Sequence, residues 1–421
     1  MQSPFSLVAK PGIQTGLPEG VPMQTRMSKP EFIALIAMMF ATIAFSIDAM
    51  LPAFPQIGAE LSPQDVNRAQ LILTAFVLGM GVGTFFTGPL SDAFGRKPVI
   101  YAGSALYIAA AALAWASSSL EVVLAARMLQ GLGAAAPRVV ALAIVRDLYV
   151  GREMARLMSI AMMIFTIFPA FAPMMGAGII AFTGWRGIFL AFMLFSVITM
   201  LWMGLRLDEP LARENRRPFR LPLLWGAVVE MVTHPTVRLS IMVQTLCMGM
   251  LFTMLVMVQP VYDVIYDRAD SFPFWFGAVA LVSGSGSVLN AGLVVRLGMR
   301  RMVTWSLAAQ LGLTSVVLAL STTGHEPFGL FVLWQCSVFF MAGTTLGNLN
   351  AIAMEPMGHI AGMAASVIGA ISTVLAASIV APIGLTFDGT LIPLATGLLI
   401  MSAVGYALIL HMARVEARLE A

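Results

Sequence analysis

The sequence predicts an all-α integral membrane protein with twelve transmembrane helices in two six-helix bundles. Three observations carry this prediction: the composition, a series of long apolar runs, and a polar segment that divides the runs into two sets of six. Of 421 residues, 59% are hydrophobic and 11% are charged, and the mean hydropathy is +0.89. Ordinary soluble domains are about a quarter charged. The composition therefore excludes a protein whose whole surface faces water.

The apolar runs are long enough to cross a bilayer as helices. A hydrocarbon core about 30 Å thick needs roughly 20 apolar residues per helix. Twelve such runs can be drawn, at residues 32–54, 69–89, 98–117, 121–145, 155–182, 187–206, 238–262, 273–295, 301–321, 327–352, 360–383 and 390–412. Membrane strands would be short and would alternate polar with apolar residues, so the runs favour helices.

The longest polar interruption lies between the sixth and seventh runs. It contains D-E-P-L-A-R-E-N-R-R-P-F-R, and Pro210, Pro218 and Pro222 in this region are helix-breaking. The predicted parts are an N-terminal tail (1–30), a first bundle (31–206), a linker (207–237), a second bundle (238–412) and a C-terminal tail (413–421).

The distribution of basic residues predicts the orientation. Lys and Arg accumulate in cytoplasmic loops, and nineteen of the 24 fall in the tails, the linker and the loops on the same side. Only Arg68, Arg186 and Arg268 fall on the opposite side. Both termini and the linker are therefore predicted to be cytoplasmic. The excess of basic over acidic residues is therefore explained by the topology. It does not form a solvated basic face that could bind a nucleic acid.

Each half carries a basic turn between its second and third spans. The first is G-P-L-S-D-A-F-G-R-K at 88–97, and the second, L-V-V-R-L-G-M-R-R at 293–301, lacks the acidic residue. Either turn could be a simple hairpin that obeys the positive-inside rule. The first turn resembles the signature of the major facilitator superfamily. That resemblance implies a cytoplasmic latch made by Gly88, Asp92, Gly95, Arg96, Lys97 and Asp147.

Two charged residues lie toward the outer ends of their spans. These are Asp48 in the first span and Arg127 in the fourth, and a charge at a helix centre costs about 2.5–3.5 kcal/mol on insertion scales. They could form an ion pair that fastens two helices, or Asp48 could belong to the external loop. The functional interpretation is proton coupling, because burial favours a neutral carboxyl while a nearby guanidinium favours the ionised form.

Arg138 lies eleven residues after Arg127, on nearly the same face of the fourth span. It could bind cargo, or it could extend toward the cytoplasmic interface. The fourth span, R-M-L-Q-G-L-G, resembles the motif of proton-coupled facilitators, with Arg127 as its buried arginine. Members of the related exporter subgroup often carry an arginine one turn later, where this chain has Leu142.

The fifth span, I-F-P-A-F-A-P-M-M-G-A-G, resembles the antiporter motif, carried here by Pro169, Pro173, Gly176 and Gly178. D-A-M-L-P in the first span and the stretch A-M-E-P-M-G-H-I-A-G resemble the bicyclomycin and chloramphenicol exporters. The resemblance implies a monomeric exporter in a bacterial inner membrane, driven by the proton gradient without a cofactor.

The predicted cavity is mostly apolar, so small and largely apolar cargo is expected. Its proposed lining is Phe45, Asp48, Gln130, Arg138, Gln244, Met248 and Asn348. No Walker motif is present, and the four histidines show no spacing of metal ligands. An enzyme or a receptor therefore has little support. The remaining alternative is a transporter of a metabolite such as a sugar, an amino acid or an organic anion.

Overall fold

The computed structural model describes residues 27–419, apart from the side chains of residues 165, 166 and 419, and this part of the chain contains helices and no β-strand. Most of the predicted N-terminal tail and the end of the C-terminal tail lie outside the described residues. The α-helices of the described part are α1 (Lys29–Asp48), α2 (Phe54–Leu61), α3 (Leu71–Phe94), α4 (Arg96–Ala116), α5 (Leu120–Leu148), α6 (Gly151–Thr183), α7 (Arg186–Arg206), α8 (Leu221–Thr233), α9 (Pro235–Pro260), α10 (Phe272–Leu297), α11 (Met299–Ser321), α12 (Phe328–Met354), α13 (Ala361–Leu385) and α14 (Ile392–Leu419).

The helices confirm an all-helical protein that crosses a membrane several times. Within residues 27–419, eleven continuous helical segments are long and apolar enough to span a bilayer. One of them, Phe328–Leu385, is 58 residues long and contains both α12 and α13. A 3₁₀ turn, Glu355–Ile360, joins these two helices, and Met357 inside it leaves the helical conformation.

The first predicted span ends earlier than expected. Its run was drawn to residue 54, but α1 ends at Asp48, and a 3₁₀ turn, Leu51–Ala53, leads into the short α2. Pro52 lies in this turn and Pro55 in the first turn of α2. Proline lacks an N–H donor and disfavours a helical conformation in the residue before it. The carboxyl of Asp48 therefore lies where a regular helix stops.

The polar linker contains a short helix although it is rich in proline. Prolines break the interior of a helix, yet α8 occupies Leu221–Thr233 within this segment. Pro222 lies in the first turn of α8, where the missing N–H would have no partner in any case. Leu224, Ala227 and Met231 pack in a hydrophobic cluster with residues of α9 and α13.

Helices α3 and α5 approach closely because a glycine on each helix faces the backbone of the other helix. A Cβ on Gly79 would overlap the carbonyl oxygen of Met128, and one on Gly131 would overlap that of Phe76. Small residues at such contacts let membrane helices pack by van der Waals interaction. This packing fixes the depth of Arg127, four residues before Gly131 on α5.

We expect Gly131→Ala to lower the thermal unfolding midpoint of the purified protein. The added methyl must displace backbone atoms of α3, and such overpacking costs about 1–3 kcal/mol. The matched control is Gly312→Ala in α11, where a Cβ meets nothing within 4 Å and alanine stabilises a helix by roughly 0.5–1 kcal/mol over glycine. Equal midpoints for the two variants would contradict the close packing.

Helices α3 and α13 form one seam between the predicted bundles. At one end, Asn67 Nδ2 donates to the carbonyl oxygen of Phe387 at 2.7 Å. Further along, a Cβ on Gly81 would lie 3.1 Å from the backbone nitrogen of Val374. Near this contact, an apolar cavity of about 400 Å³ is lined by residues of both helices. The two halves therefore touch along much of the length of these helices.

Candidate functional site

Asp48 is a buried carboxylic acid at the end of α1. Only 5% of the residue is exposed, and no residue in the described range gives its side chain a hydrogen bond or an ion pair. The next residue, Ala49, packs against α6, where a Cβ on Gly176 would overlap the Ala49 carbonyl oxygen. Asp48 is thus inside the protein rather than in an external loop.

Arg127 is fully buried and is held by neutral acceptors. Its Nη2 donates to the carbonyl oxygen of Ser46 at 2.8 Å, and its Nη1 donates to Gln130 Oε1 at 2.6 Å. Its guanidinium carbon lies 4.4 Å from the centroid of the Phe76 ring, which adds a cation–π contact. In the described part of the chain no ion pair joins Arg127 to Asp48. The arginine instead binds α1 two residues before the acid.

Ser46 and Tyr107 extend this polar cluster, and sequence reasoning missed both. Their hydroxyl oxygens lie 2.6 Å apart, and Ser46 Oγ also donates to the carbonyl oxygen of Thr42 at 2.6 Å. Tyr107 brings α4 into contact with α1 beside Arg127. A serine or a tyrosine in an apolar span is too common to mark a site, so only the fold identifies this pair.

The other residues predicted to line the cavity occupy different environments. Phe45 is buried against the rings of Phe168, Phe192 and Phe195. Asn348 Nδ2 donates to Asn290 Oδ1 at 2.7 Å. Gln130, Gln244 and Met248 are buried or half-buried, and Met248 Sδ lies 3.7 Å from a threonine hydroxyl on α13.

Arg138 differs from Arg127 in having no acceptor. It is half-buried in the middle of α5, and the residues that the structure describes offer it neither a hydrogen bond nor an ion pair. Three helical turns separate it from Arg127. It is therefore a cation inside the helical bundle without a compensating group on the described chain.

The second half carries a neutral counterpart of the Arg127 cluster. Gln335 is the eighth residue of α12, as Arg127 is of α5, and it accepts a 3.0 Å hydrogen bond from the hydroxyl of Tyr262. Nearby, Trp334 Nε1 donates to Thr314 Oγ1 at 2.9 Å. A glutamine here takes the place of the arginine, so the polar chemistry of the two halves is asymmetric.

The residues predicted for the latch come together around Arg96. Its Nε donates to Asp147 Oδ2 at 2.7 Å and its Nη1 to Asp92 Oδ1 at 2.6 Å. All three belong to the predicted first bundle. The second bundle is reached at Gly88, where a Cβ would lie 3.1 Å from Ser366 Oγ of α13.

The linker adds a carboxylate that the sequence did not reveal. Glu209 accepts hydrogen bonds from the backbone nitrogens of Arg96 and Lys97, at 2.8 and 2.9 Å, and so caps the start of α4. Gly95 precedes that start with φ +103°, a conformation that favours glycine. Lys97 Nζ donates to the carbonyl oxygen of Leu207. The linker is thereby attached to the turn between α3 and α4.

The predicted antiporter motif lies where α6 meets both halves. Pro169 and Pro173 are inside α6. A Cβ on Gly277 of α10 would overlap the carbonyl oxygen of Ala170, beside Pro169, whereas one on Gly178 would meet nothing within 4 Å. Two of the four motif residues, Pro169 and Gly176, thus adjoin close packing contacts.

Comparison with known proteins gives a family match over most of the chain. The sequence profile of the Major Facilitator Superfamily matches residues 34–383. An uncharacterized MFS-type transporter of Bacillus subtilis is 29% identical over 386 residues, which cover 88% of this chain and 92% of that protein. A bicyclomycin resistance protein homolog of Haemophilus influenzae is 29% identical over 347 residues, which cover 81% and 85%.

Solved structures show a similar fold. The human organic anion transporter MFSD10 aligns with a TM-score of 0.63 and 16% identity, over 91% of this chain and all of that chain. A D-xylose–proton symporter aligns with a TM-score of 0.71 and 13% identity, over 90% and 97%. At these identities the likeness shows the fold alone.

Proposed function

Because the chain belongs to the Major Facilitator Superfamily, we propose that it is a proton-coupled transporter that exports small, largely apolar drugs or toxic compounds. The observation that carries the proposal is the buried carboxyl of Asp48, which no described cation neutralises, next to the Arg127 cluster. The bicyclomycin resistance homolog of Haemophilus influenzae supports drugs as the cargo class. The protein is a transporter and not an enzyme, as its family and its transporter-named relative in Bacillus subtilis indicate.

The proposed topology has twelve crossings. The 58-residue segment Phe328–Leu385 would be about 87 Å long as one helix, far more than a bilayer core about 30 Å thick, and its 3₁₀ turn divides it into two crossings. With twelve crossings both termini lie on one side, and the basic loops make that side the cytoplasm. The bacterial relatives support an inner-membrane location, and a monomer suffices for transport.

The proposed cycle is alternating access by rocking of the two six-helix bundles. When the cavity faces outward, Asp48 takes a proton and cargo leaves. When the cavity faces inward, Asp48 releases the proton and the carboxylate, with Arg127, restores cargo affinity. Proton and cargo thus exclude each other in one state, and coupling requires such differential binding.

Arg127 has a positioning role in this cycle. Its hydrogen bond to the Ser46 carbonyl fixes the last turn of α1, and Tyr107 fixes the same turn from α4. Arg96, with Asp92 and Asp147, stabilises the cytoplasmic turn that closes against α13 in the outward-facing state.

Proteoliposomes with an acidic lumen test this function directly. In vesicles whose protein is oriented with its outer face inward, we expect a panel of apolar drugs, including bicyclomycin, to accumulate in the lumen. A protonophore should abolish the accumulation, and protein-free vesicles serve as the control. Accumulation that survives the protonophore would refute proton coupling, and no accumulation of any drug would refute the cargo class.

One observation favours a second candidate, an exporter of organic anions. Arg138 is half-buried without a described acceptor, and a guanidinium binds a carboxylate with two parallel hydrogen bonds. The MFSD10 structure shows that the shared fold accommodates organic anion transport in that human protein.

We expect Arg138→Ala to reduce transport of anionic compounds and to leave transport of neutral compounds unchanged. The loss should reach roughly tenfold or more, since a charge-assisted hydrogen bond contributes about 1.5–3 kcal/mol. The control is Arg146→Ala, an exposed arginine two turns further along α5. Initial rates for a matched acid and its methyl ester measure the effect. Equal losses for both compounds would contradict an anion site.

A further inference from the structure

The linker helix α8 presents three different faces along its 13 residues. One stripe, with Leu224, Ala227 and Met231, is buried against α9 and α13. A second stripe is exposed and mixed, with Gly226, Glu230 and Thr233 beside Leu223, which is 57% exposed. A third stripe is apolar and exposed, and it consists of Leu221, Trp225, Val229 and Val232.

The apolar stripe is continuous and uncovered. At 100° per residue its four side chains fall within a sector of about 80°, and Trp225 at its centre is 66% exposed. No other part of the described chain covers this stripe. A contiguous exposed apolar surface of this kind marks contact with a partner or with a membrane.

Glu230 in the second stripe is held against the body of the protein. Glu230 Oε1 lies 2.8 Å from Nε2 of His359, in the turn between α12 and α13. A helix with one apolar face and one polar face lies in the plane of a membrane interface. At about 20 Å, α8 is too short to cross a hydrocarbon core of about 30 Å, and tryptophan is enriched at the level of the lipid headgroups.

Exposed arginines directly precede the helix. Arg213, Arg217 and Arg220 are exposed, and the described residues provide none of their guanidinium groups with an ion pair. The backbone nitrogen of Arg217 donates to the carbonyl oxygen of Asp92 at 3.0 Å, which fixes this segment against the turn between α3 and α4. The arginines are therefore held at the same end of the molecule as the apolar stripe.

We propose that α8 and the arginines before it form a binding site for anionic phospholipid in the cytoplasmic leaflet. The stripe around Trp225 enters the upper acyl region. Arg217 and Arg220 bind the phosphate of the headgroup through charge-assisted hydrogen bonds. The site is independent of the cargo and of Asp48.

Native mass spectrometry of the full-length protein measures the headgroup contact. Phosphatidylglycerol should form adducts in preference to phosphatidylcholine, and Arg217→Gln with Arg220→Gln should lower its apparent affinity about 25-fold, since each basic side chain near an anionic surface contributes roughly fivefold. The matched control, Arg296→Gln with Arg301→Gln, removes two exposed arginines at the turn between α10 and α11 and should retain the wild-type affinity. Equal losses in the two variants, or displacement of the lipid by inorganic phosphate alone, would overturn the proposal.

Fluorescence quenching measures the apolar contact. The fluorescence of wild type and of Trp225→Phe is measured in nanodiscs that contain phosphatidylglycerol. The spectrum of the variant is subtracted from that of the wild type, and the difference is the emission of Trp225. Lipids brominated high on the acyl chain should quench this emission, and aqueous iodide should not. Quenching by iodide without quenching by the brominated lipid would place the stripe in water and refute insertion.

Discussion

Asp48→Asn is expected to reduce proton-driven drug accumulation to the level of protein-free vesicles. Asparagine has nearly the same shape as aspartic acid but carries no titratable proton, so the alternation between protonated and ionised states is lost. Because no described residue depends on Asp48 for a hydrogen bond, the fold should remain intact. Because asparagine resembles the protonated acid, which releases cargo in the proposed cycle, drug binding and exchange of drug for drug should weaken as well.

The control for Asp48→Asn is Asp65→Asn, in the exposed segment before α3. It removes the same charge from the outer side and should transport at the wild-type rate. Measuring lumenal drug and lumenal pH in the same vesicles separates coupling from binding. Coupled export that continues in Asp48→Asn would remove this residue from the proposed role.

Arg127→Lys is expected to lower the transport rate about a hundredfold although the positive charge is kept. A single ammonium on a flexible chain does not reproduce the fork of donors that reaches Ser46 and Gln130 together. Hydrogen bonds to charged groups contribute about 1.5–3 kcal/mol each, so losing one or two gives an effect of this size. The last turn of α1, and with it Asp48, then loses its fixed position.

An exposed arginine provides the comparison for Arg127→Lys. Arg68 donates to Glu121 at 2.9 Å, and exposed pairs contribute about 0–1 kcal/mol, so Arg68→Lys should leave transport near the wild-type rate. Thermal unfolding of each variant separates positioning from general instability. If Arg127→Lys transported normally, charge alone would suffice and the positioning role would be wrong.

The sequence predicts charged groups of this site better than neutral ones. Asp48 and Arg127 are recognisable because a charge within an apolar span is rare. Their mutual geometry is not recognisable from the sequence. The hydrogen bond from Arg127 goes to a backbone carbonyl, and every residue has one. Ser46 and Tyr107 belong to residue types that are frequent in helices, so their pairing depends on how α1 and α4 are placed by the fold.

The linker shows a second limit of sequence reasoning. Its prolines are helix-breaking in a helix interior, whereas Pro222 lies in the first turn of α8, which tolerates proline. Glu209 lies more than a hundred residues after the two backbone nitrogens that it accepts from. Such contacts between distant segments become visible only once the helices are packed.

Helix α6 contacts both the peptide after Asp48 and the opposite half of the protein. Ala49, which follows Asp48, touches α6 at Gly176, and six residues earlier Ala170 touches Gly277 of α10. Those six residues span about 9 Å of helix. The peptide after Asp48 and the opposite half thus contact one helical segment shorter than two turns, and Pro173 inside that segment removes one of its backbone hydrogen bonds.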